Sequence, residues 1–448
     1  MIHKLPTHTD ARGVAVSECK LTSLEDYEKA LYQFQSYFGD PTETIAATVE
    51  NDPEFVMGHV FNASAMLMMT ERQYIPAIQQ SIVCAESLSH KSNDREKGLI
   101  AAAREGLEGR WDRACAAWDR VLERYPRDAM AIQCAHLMDF FCGDAVNLRD
   151  RVGRVIRHWH EDVPGYSYIL GMQAFGFEEC NQYDKAEETA NKALEIERRD
   201  GWSVHALAHV MEMQSRYEEG KDLLQSRVQD WAPDNGFAFH NWWHLALFHI
   251  EHEDFLGALR LYDEKVIPED SDVALQMLDA TALLWRLHLQ GVDVGKRWNR
   301  IADMWARKAT VENGYYAFND LHSVISFLGA GQIAEARTVL AAVEAAAETN
   351  LESTRRMARE VGIPACSAFL AFAEERYTDA VELLLSIRTI AHRFGGSHAQ
   401  RDILTQTLIE SAIRGDYTGL ASNLMSERTV HKPFSPLTRR FNARIKTH

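Results

Sequence analysis

One unit recurs along this chain: a polar turn, an aromatic residue, a small residue three positions later and another apolar residue four beyond that. It appears as Trp111, Ala114 and Trp118 in GRWDRACAAWDRVLERYP, which Pro126 ends, and as Tyr183, Ala186 and Ala190 in NQYDKAEETANKALEI. SRYEEGKDLL repeats it with Tyr217, Gly220 and Leu224, EDFLGALRLYDE with Phe255, Ala258 and Tyr262, and ERYTDAVELL with Tyr377, Ala380 and Leu384. Tyr183 and Tyr217 stand 34 residues apart, the length of one antiparallel helix pair. In such a pair the small residue of the second helix admits the first at close range, and the aromatic fills the space beside the turn. Trp111, Tyr183, Tyr217, Phe255 and Tyr377 are therefore expected to be largely buried. A single pair cannot bury its apolar face, so neighbours stack.

More divergent pairs with helical apolar spacing fill the gaps, among them AMAIQCAHLMDFF with VNLRDRVGRVIRHWH and VALQMLDATALLWRLHL with KRWNRIADMWAR. Pro126, Pro164, Pro233, Pro268 and Pro364 are expected between helices, where a missing N–H does no harm. No segment reads as a strand. The string from Gly329 to Gly331 resembles a dinucleotide fingerprint, but without a preceding strand it is expected to be a turn. The predicted architecture is all-α: an N-terminal segment over residues 1–23, then one solenoid domain of antiparallel helix pairs over 24–448 with a C-terminal capping helix.

The net charge of −17 repels phosphate backbones and anionic membranes, which argues against nucleic acid and membrane partners. Seven scattered cysteines without a C-x-x-C pair indicate neither a disulfide framework nor a thiolate metal site. No secretory signal and no membrane-length apolar run is visible, so a cytoplasmic protein is expected.

Several segments carry a further likeness. DPEFVMGH, GYSYILGMQAFGFEECNQYDKAEETA, DGWSVHALAHVMEM, FHNWWHLALFHIE, FNDLH, GGSHAQRD and SPLTRR follow one another in an order that resembles the tetratricopeptide repeat protein 38 family, from about residue 50 to the C-terminus. The resemblance implies a tetratricopeptide-like α-α superhelix in a mostly cytosolic setting and leaves the activity unstated. It places His205, His209, Glu212, His240, Asn241, Trp243, His244, Asp320 and His322 within family motifs, and leaves His249 and His252 outside them.

Register gives these residues a common direction. Counting back from Tyr217, His205, His209 and Glu212 take the fifth, ninth and twelfth positions of their repeat, one stripe of a helix. Counting back from Phe255, His240 and His244 take the second and sixth positions of the next first helix, again one stripe. Two such histidine pairs on adjacent helices suit a divalent metal, with His205, His209, His240 and His244 as ligands. Without a metal, the same residues suit proton transfer: His205, His209, His244 and His322 as acid–base groups, Asp320 as polarising carboxylate, Trp202, Trp242 and Trp243 as walls, and Glu212, His240 and Asn241 as ligand contacts. The bland reading is that the histidines are satisfied polar groups between helices. In Gly395–Asp402, Ser397 reads as a helix N-cap, and the sharper reading sets Arg401 and Asp402 at the groove mouth as ligand contacts, with Arg401 holding an anionic group. His136 and Asp139 read as local hydrogen-bonding residues.

Two functions follow from these residues. The first is an enzyme or small-molecule binder with a pocket lined by His, Asp and Trp, acting by His/Asp acid–base or metal-assisted chemistry, the divalent metal being an open cofactor assignment. The alternative is an interaction scaffold that takes a peptide or partner protein along the solenoid's groove. Either is compatible with a homo-oligomer.

Overall fold

The computed structural model describes residues 7–445. It is helical from Leu21 to Ile445, apart from short connections. Among the described residues the only sheet is a two-stranded antiparallel hairpin, Thr7–Thr9 with Ala15–Ser17, which corrects the expectation of no strand at all. Asp10 closes that hairpin by accepting the N–H groups of Arg12 and Val14.

The helix pairs meet at one kind of turn. Gly109, Asn181, Ser215, Glu253, Gly331 and Glu375 each adopt a left-handed conformation after the first helix of a pair. The N–H of the following residue then reaches back to a carbonyl five positions earlier, as in Gln182 to Phe177 and Arg216 to Met211, both at 2.8 Å. This satisfies carbonyls that a helix end leaves exposed. The second helix begins at once with the repeat's aromatic, and its small residue lies three places on. Ala114, Ala186, Ala258 and Ala380 are all fully buried there. At Gly220 even a methyl group would lie 2.4 Å from the Phe248 ring, so only glycine admits that neighbour.

Because the approach is close, first helices are buried nearly all round. Ala129–Cys142, Tyr166–Glu179, Ala238–Glu251 and Ala317–Gly329 hide almost every side chain. Second helices such as Tyr183–Ile196 bury only a stripe, there Ala186, Ala190, Ala193 and Leu194. The aromatics split: Trp111 and Tyr217 are buried as expected, whereas Tyr183, Phe255 and Tyr377 are only half-buried. The Tyr183 hydroxyl donates to Asn181 at the turn, which draws the ring tip outward. Pro364 also departs from expectation. It lies inside a continuous helical run in which Glu352–Met357 passes through a π-turn at Ala358–Gly362 into Ile363–Ala373, and the wider turn accommodates its missing N–H. The Gly329–Gly331 string is a helix-pair turn, with Gly331 left-handed.

Internal contacts divide the chain into two units. The first comprises residues up to Ala206 with Gln229–Phe237 and Leu351–Ser353, and the second comprises Leu207–Val228, Ala238–Asn350 and Thr354 onward. The helix Gly201–Met213 contributes its beginning to the first and its end to the second. No helix among the described residues is long and apolar enough to cross a membrane.

The small-residue position yields a stability prediction. Ala186→Leu should lower the unfolding free energy by about 1–3 kcal/mol through overpacking, although leucine favours helix. Glu188→Leu, two residues on and exposed, should change it by less than about 0.5 kcal/mol. Urea denaturation of the two variants checks the pair.

Candidate functional site

In the second unit, three histidines converge from two helices. His209 lies on Gly201–Met213, and His240 and His244 lie one turn apart on Ala238–Glu251. The His209 and His244 ring centroids are 4.4 Å apart, and those of His240 and His244 are 4.9 Å apart. Each ring presents a nitrogen within 4.8 Å of a nitrogen on the others. All three are buried.

Carboxylates orient two of the rings. His240 Nδ1 donates to Asp279 Oδ2 at 2.6 Å, and His244 Nδ1 stands 3.4 Å from Glu212 Oε2. Asp279 comes from the middle of Ala274–Leu289 and also accepts from Gln400 Nε2 at 3.5 Å. Gln400 in turn completes a capping box with Ser397 at the start of His398–Arg414. One side chain thus caps a helix and braces the carboxylate behind His240. Trp243 closes a side of the cluster, stacked nearly parallel on His240 at 5.3 Å and edge-on to His244 at 4.9 Å.

Cations complete the surroundings. Lys432 Nζ reaches Glu212 Oε1 at 3.2 Å, and Arg428 grips Asp402 with a two-pronged contact of 2.6 and 3.1 Å. Arg286 lies 5.3 Å from the centre of the Trp243 ring and donates to the carbonyls of Ala282, Ala399 and Gln400. Burial alone would raise the Glu212 carboxyl, but Lys432 and then His244 hold it down at about 2. Burial works against the charge of Lys432, yet Glu212 and Asp402 carry it above the ordinary lysine value. Burial, followed by the neighbouring His244 and His240, drives His209 well below the ordinary histidine value. His244 is lowered by burial too, with Glu212 pulling the other way. The cluster therefore combines neutral imidazoles at His209 and His244 with fixed charges around them.

The other residues singled out from sequence make contacts of their own. His322 Nδ1 donates to the Phe318 carbonyl at 2.8 Å, and burial pushes the ring down to about 4. Asp320 accepts the N–H of Gly314 at 2.9 Å. The carboxylate that meets a site histidine is Asp279, at His240. Asn241 is buried, and Trp242 is half-exposed with Lys265 over its ring. Arg401 donates to the carbonyl of Gly396 and reaches His398 Nδ1 at 3.3 Å. In the first unit, His205 is ringed by Phe175, Trp202 and Phe237 with centroids 5.0–5.2 Å away, one helical turn before His209. Trp202 itself stacks on Tyr37, and its backbone N–H donates to Asp200. His136 packs edge-on against Phe175 and Trp202 in that unit, where Asp139 forms a two-pronged pair with Arg151.

Sequence reading missed Asp279, Arg286, Arg428 and Lys432, and took Gln400 only as a member of the polar stretch Gly395–Asp402. Asp279 and Arg286 did carry a signal, as two charges seven residues apart in a mostly apolar helix. Lys432 carried none, being 220 residues from Glu212.

These features define an all-α protein of tetratricopeptide-like helix pairs with a buried histidine cluster in its second unit. No family model matches the chain. Similar solved structures include the APC/C hetero-tetramer Cut9–Hcn1, at 11% identity over 96% of this chain and 77% of that one with a TM-score of 0.44. Yeast Tom70 matches at 11% over 82% and 91%, with a TM-score of 0.35. The human IFIT1 dimer with m7Gppp-AAAA matches at 12% over 94% and 99%, with a TM-score of 0.43. At such identities none of them bears on the chemistry of the cluster.

Two predictions concern its electrostatics. Lys432→Met should cost about 3–5 kcal/mol by leaving Glu212 charged and buried, and adding Glu212→Gln should recover part of that loss. A double-mutant cycle in urea reads the coupling. Two groups should also lose stabilising contributions in acid, each in its own window. The folded chain keeps His322 neutral to about pH 4 while the unfolded chain protonates it near 6.5, so its contribution, on the order of 3 kcal/mol, is present above 6.5 and lost as pH falls to about 4. Glu212 contributes above its ordinary value of 4.5 and loses that contribution as pH falls toward 2. In a melting-temperature profile, His322→Gln should remove only its own share of the loss between pH 6.5 and 4, since His209 and His244 are held neutral there too, and should leave the Glu212 window unchanged.

Proposed function

We propose that the second unit carries a small-molecule site, enzymatic or purely binding, in which His209, His240 and His244 are the working groups. The observation that carries this reading is the pairing of imidazoles with carboxylates, His240 with Asp279 and His244 with Glu212. A carboxylate behind Nδ1 fixes the tautomer and turns Nε2 toward whatever the ring meets. Retaining two charge pairs, Lys432–Glu212 and Arg428–Asp402, and three histidines in a buried interior is costly for structure alone, and such clusters concentrate at functional sites. Trp243 supplies an apolar wall. The same reading takes the chain as a member of the tetratricopeptide repeat protein 38 family and its ligand as a small polar molecule, with nucleic acid and membranes disfavoured by the negative charge and a cytoplasmic setting consistent with it.

A second reading, the interaction scaffold, draws support from the architecture itself, since stacked helix pairs commonly serve as protein-binding surfaces. Its specific observation is exposed apolar surface on the second unit: Leu256, Val430 and Phe434 are each more than 70% exposed. Ser435 and Arg440 tie the stretch around Phe434 to Glu251 and Glu253, close in sequence to Leu256.

The experiment passes a small-molecule extract over purified full-length protein and analyses what is retained by mass spectrometry. The small-molecule reading expects a compound retained by wild type and reduced at least about tenfold in His240→Gln and His244→Gln, with the melting temperature little changed. Identical retention by wild type and both variants overturns it. Under the scaffold reading, Phe434→Asp with Leu256→Asp should instead abolish capture of a protein partner that His240→Gln leaves intact.

A further inference from the structure

The cluster's chemistry points to one kind of occupant. We propose that His209, His240 and His244 together hold a divalent cation of the zinc type, an inference that rests on the small-molecule site reading and gives that site its central charge. Three imidazoles, two from one helix at i and i+4 and one from a second helix, form the nitrogen-rich donor set that zinc, cobalt, nickel and copper prefer over calcium or magnesium.

The distances suit this with a small closure. Metal–nitrogen bonds of about 2.0–2.1 Å place tetrahedral ligand nitrogens roughly 3.4 Å from one another. The three rings offer nitrogens within 4.8 Å of each other, so side-chain rotation of about an ångström brings them to a common ion.

The surroundings are also those of a metal site. Histidine ligands characteristically donate their remaining N–H to a carboxylate, which orients the ring and strengthens it as a donor. His240 does so to Asp279 at 2.6 Å, and His244 faces Glu212 at 3.4 Å. Both carboxylates are themselves braced, Asp279 by Gln400 and Glu212 by Lys432. The cations of the neighbourhood do not oppose an ion: Lys432 is matched to Glu212, Arg428 to Asp402, and Arg286 to backbone carbonyls.

The test uses full-length protein without a polyhistidine tag, stripped with chelator and dialysed. Chelator-competition titration with Zn²⁺ should give one equivalent per chain, and Co²⁺ should produce the visible absorption of a tetrahedral site. His240→Gln and His244→Gln should each weaken Zn²⁺ by about 100-fold or more, and Asp279→Asn by about 10- to 100-fold. Circular dichroism confirms that each variant is folded, and the Co²⁺ spectrum of wild type stands whether or not any variant folds. Wild-type protein that binds neither ion more tightly than about 10 µM overturns the proposal, as does Zn²⁺ affinity unchanged in both folded histidine variants. Repeating the small-molecule retention experiment on stripped protein separates the two ideas. Retention without any metal binding sinks the cation and leaves the site, whereas metal binding without retention of any compound keeps the cation and sinks the small-molecule reading.

Discussion

The close approach of paired helices across one small residue is the constraint on which this protein depends. Where Ala114, Ala186, Ala258 or Ala380 sits, the partner helix comes near enough to be enclosed, and at Gly220 a single added carbon already meets Phe248. A helix enclosed on every side has no solvent face for its polar residues. Each polar group that the sequence places on such a helix must find its partner inside the protein or lose about 1–3 kcal/mol.

The two units answer that demand differently. In the first, the answer is the closed ion pair: Arg95 with Asp128 at 2.6 Å, and Arg151 with Asp139 through two bonds. Such pairs fix helix against helix and leave little chemistry over. In the second, fully charged pairs surround a core of imidazoles, two of which are neutralised by burial and two of which are aimed by carboxylates. Charges fixed in place around neutral, oriented nitrogens make an arrangement that can accept a cation or a polar ligand without rebuilding its surroundings.

The final part of the chain completes that arrangement. Arg428 and Lys432 come from the end of Thr418–His431 and just beyond, yet they set the charge state of Asp402 and Glu212. Glu212 is thereby held ionised in the interior, where burial alone would favour the protonated form. The carboxylate that faces His244 is thus available because a helix more than 200 residues later docks beside it.

The helix pairs, their turns and their register were legible in the sequence, because they are set by neighbours a few residues apart. A small residue three places after an aromatic carries its meaning locally, and so do the spacings that put His205, His209 and Glu212 on one stripe and His240 with His244 on another. Burial depth was legible only in part, since Tyr183 and Pro364 obey local geometry that the repeat pattern does not record. The partners of the site were not legible. Asp279 for His240, Gln400 for Asp279 and Lys432 for Glu212 are joined across 39, 121 and 220 residues. The sequence by itself determined which residues could point inward, because helical periodicity is a property of the chain; only the tertiary structure decided which of them meet, because contact across a stack depends on how every intervening helix is packed.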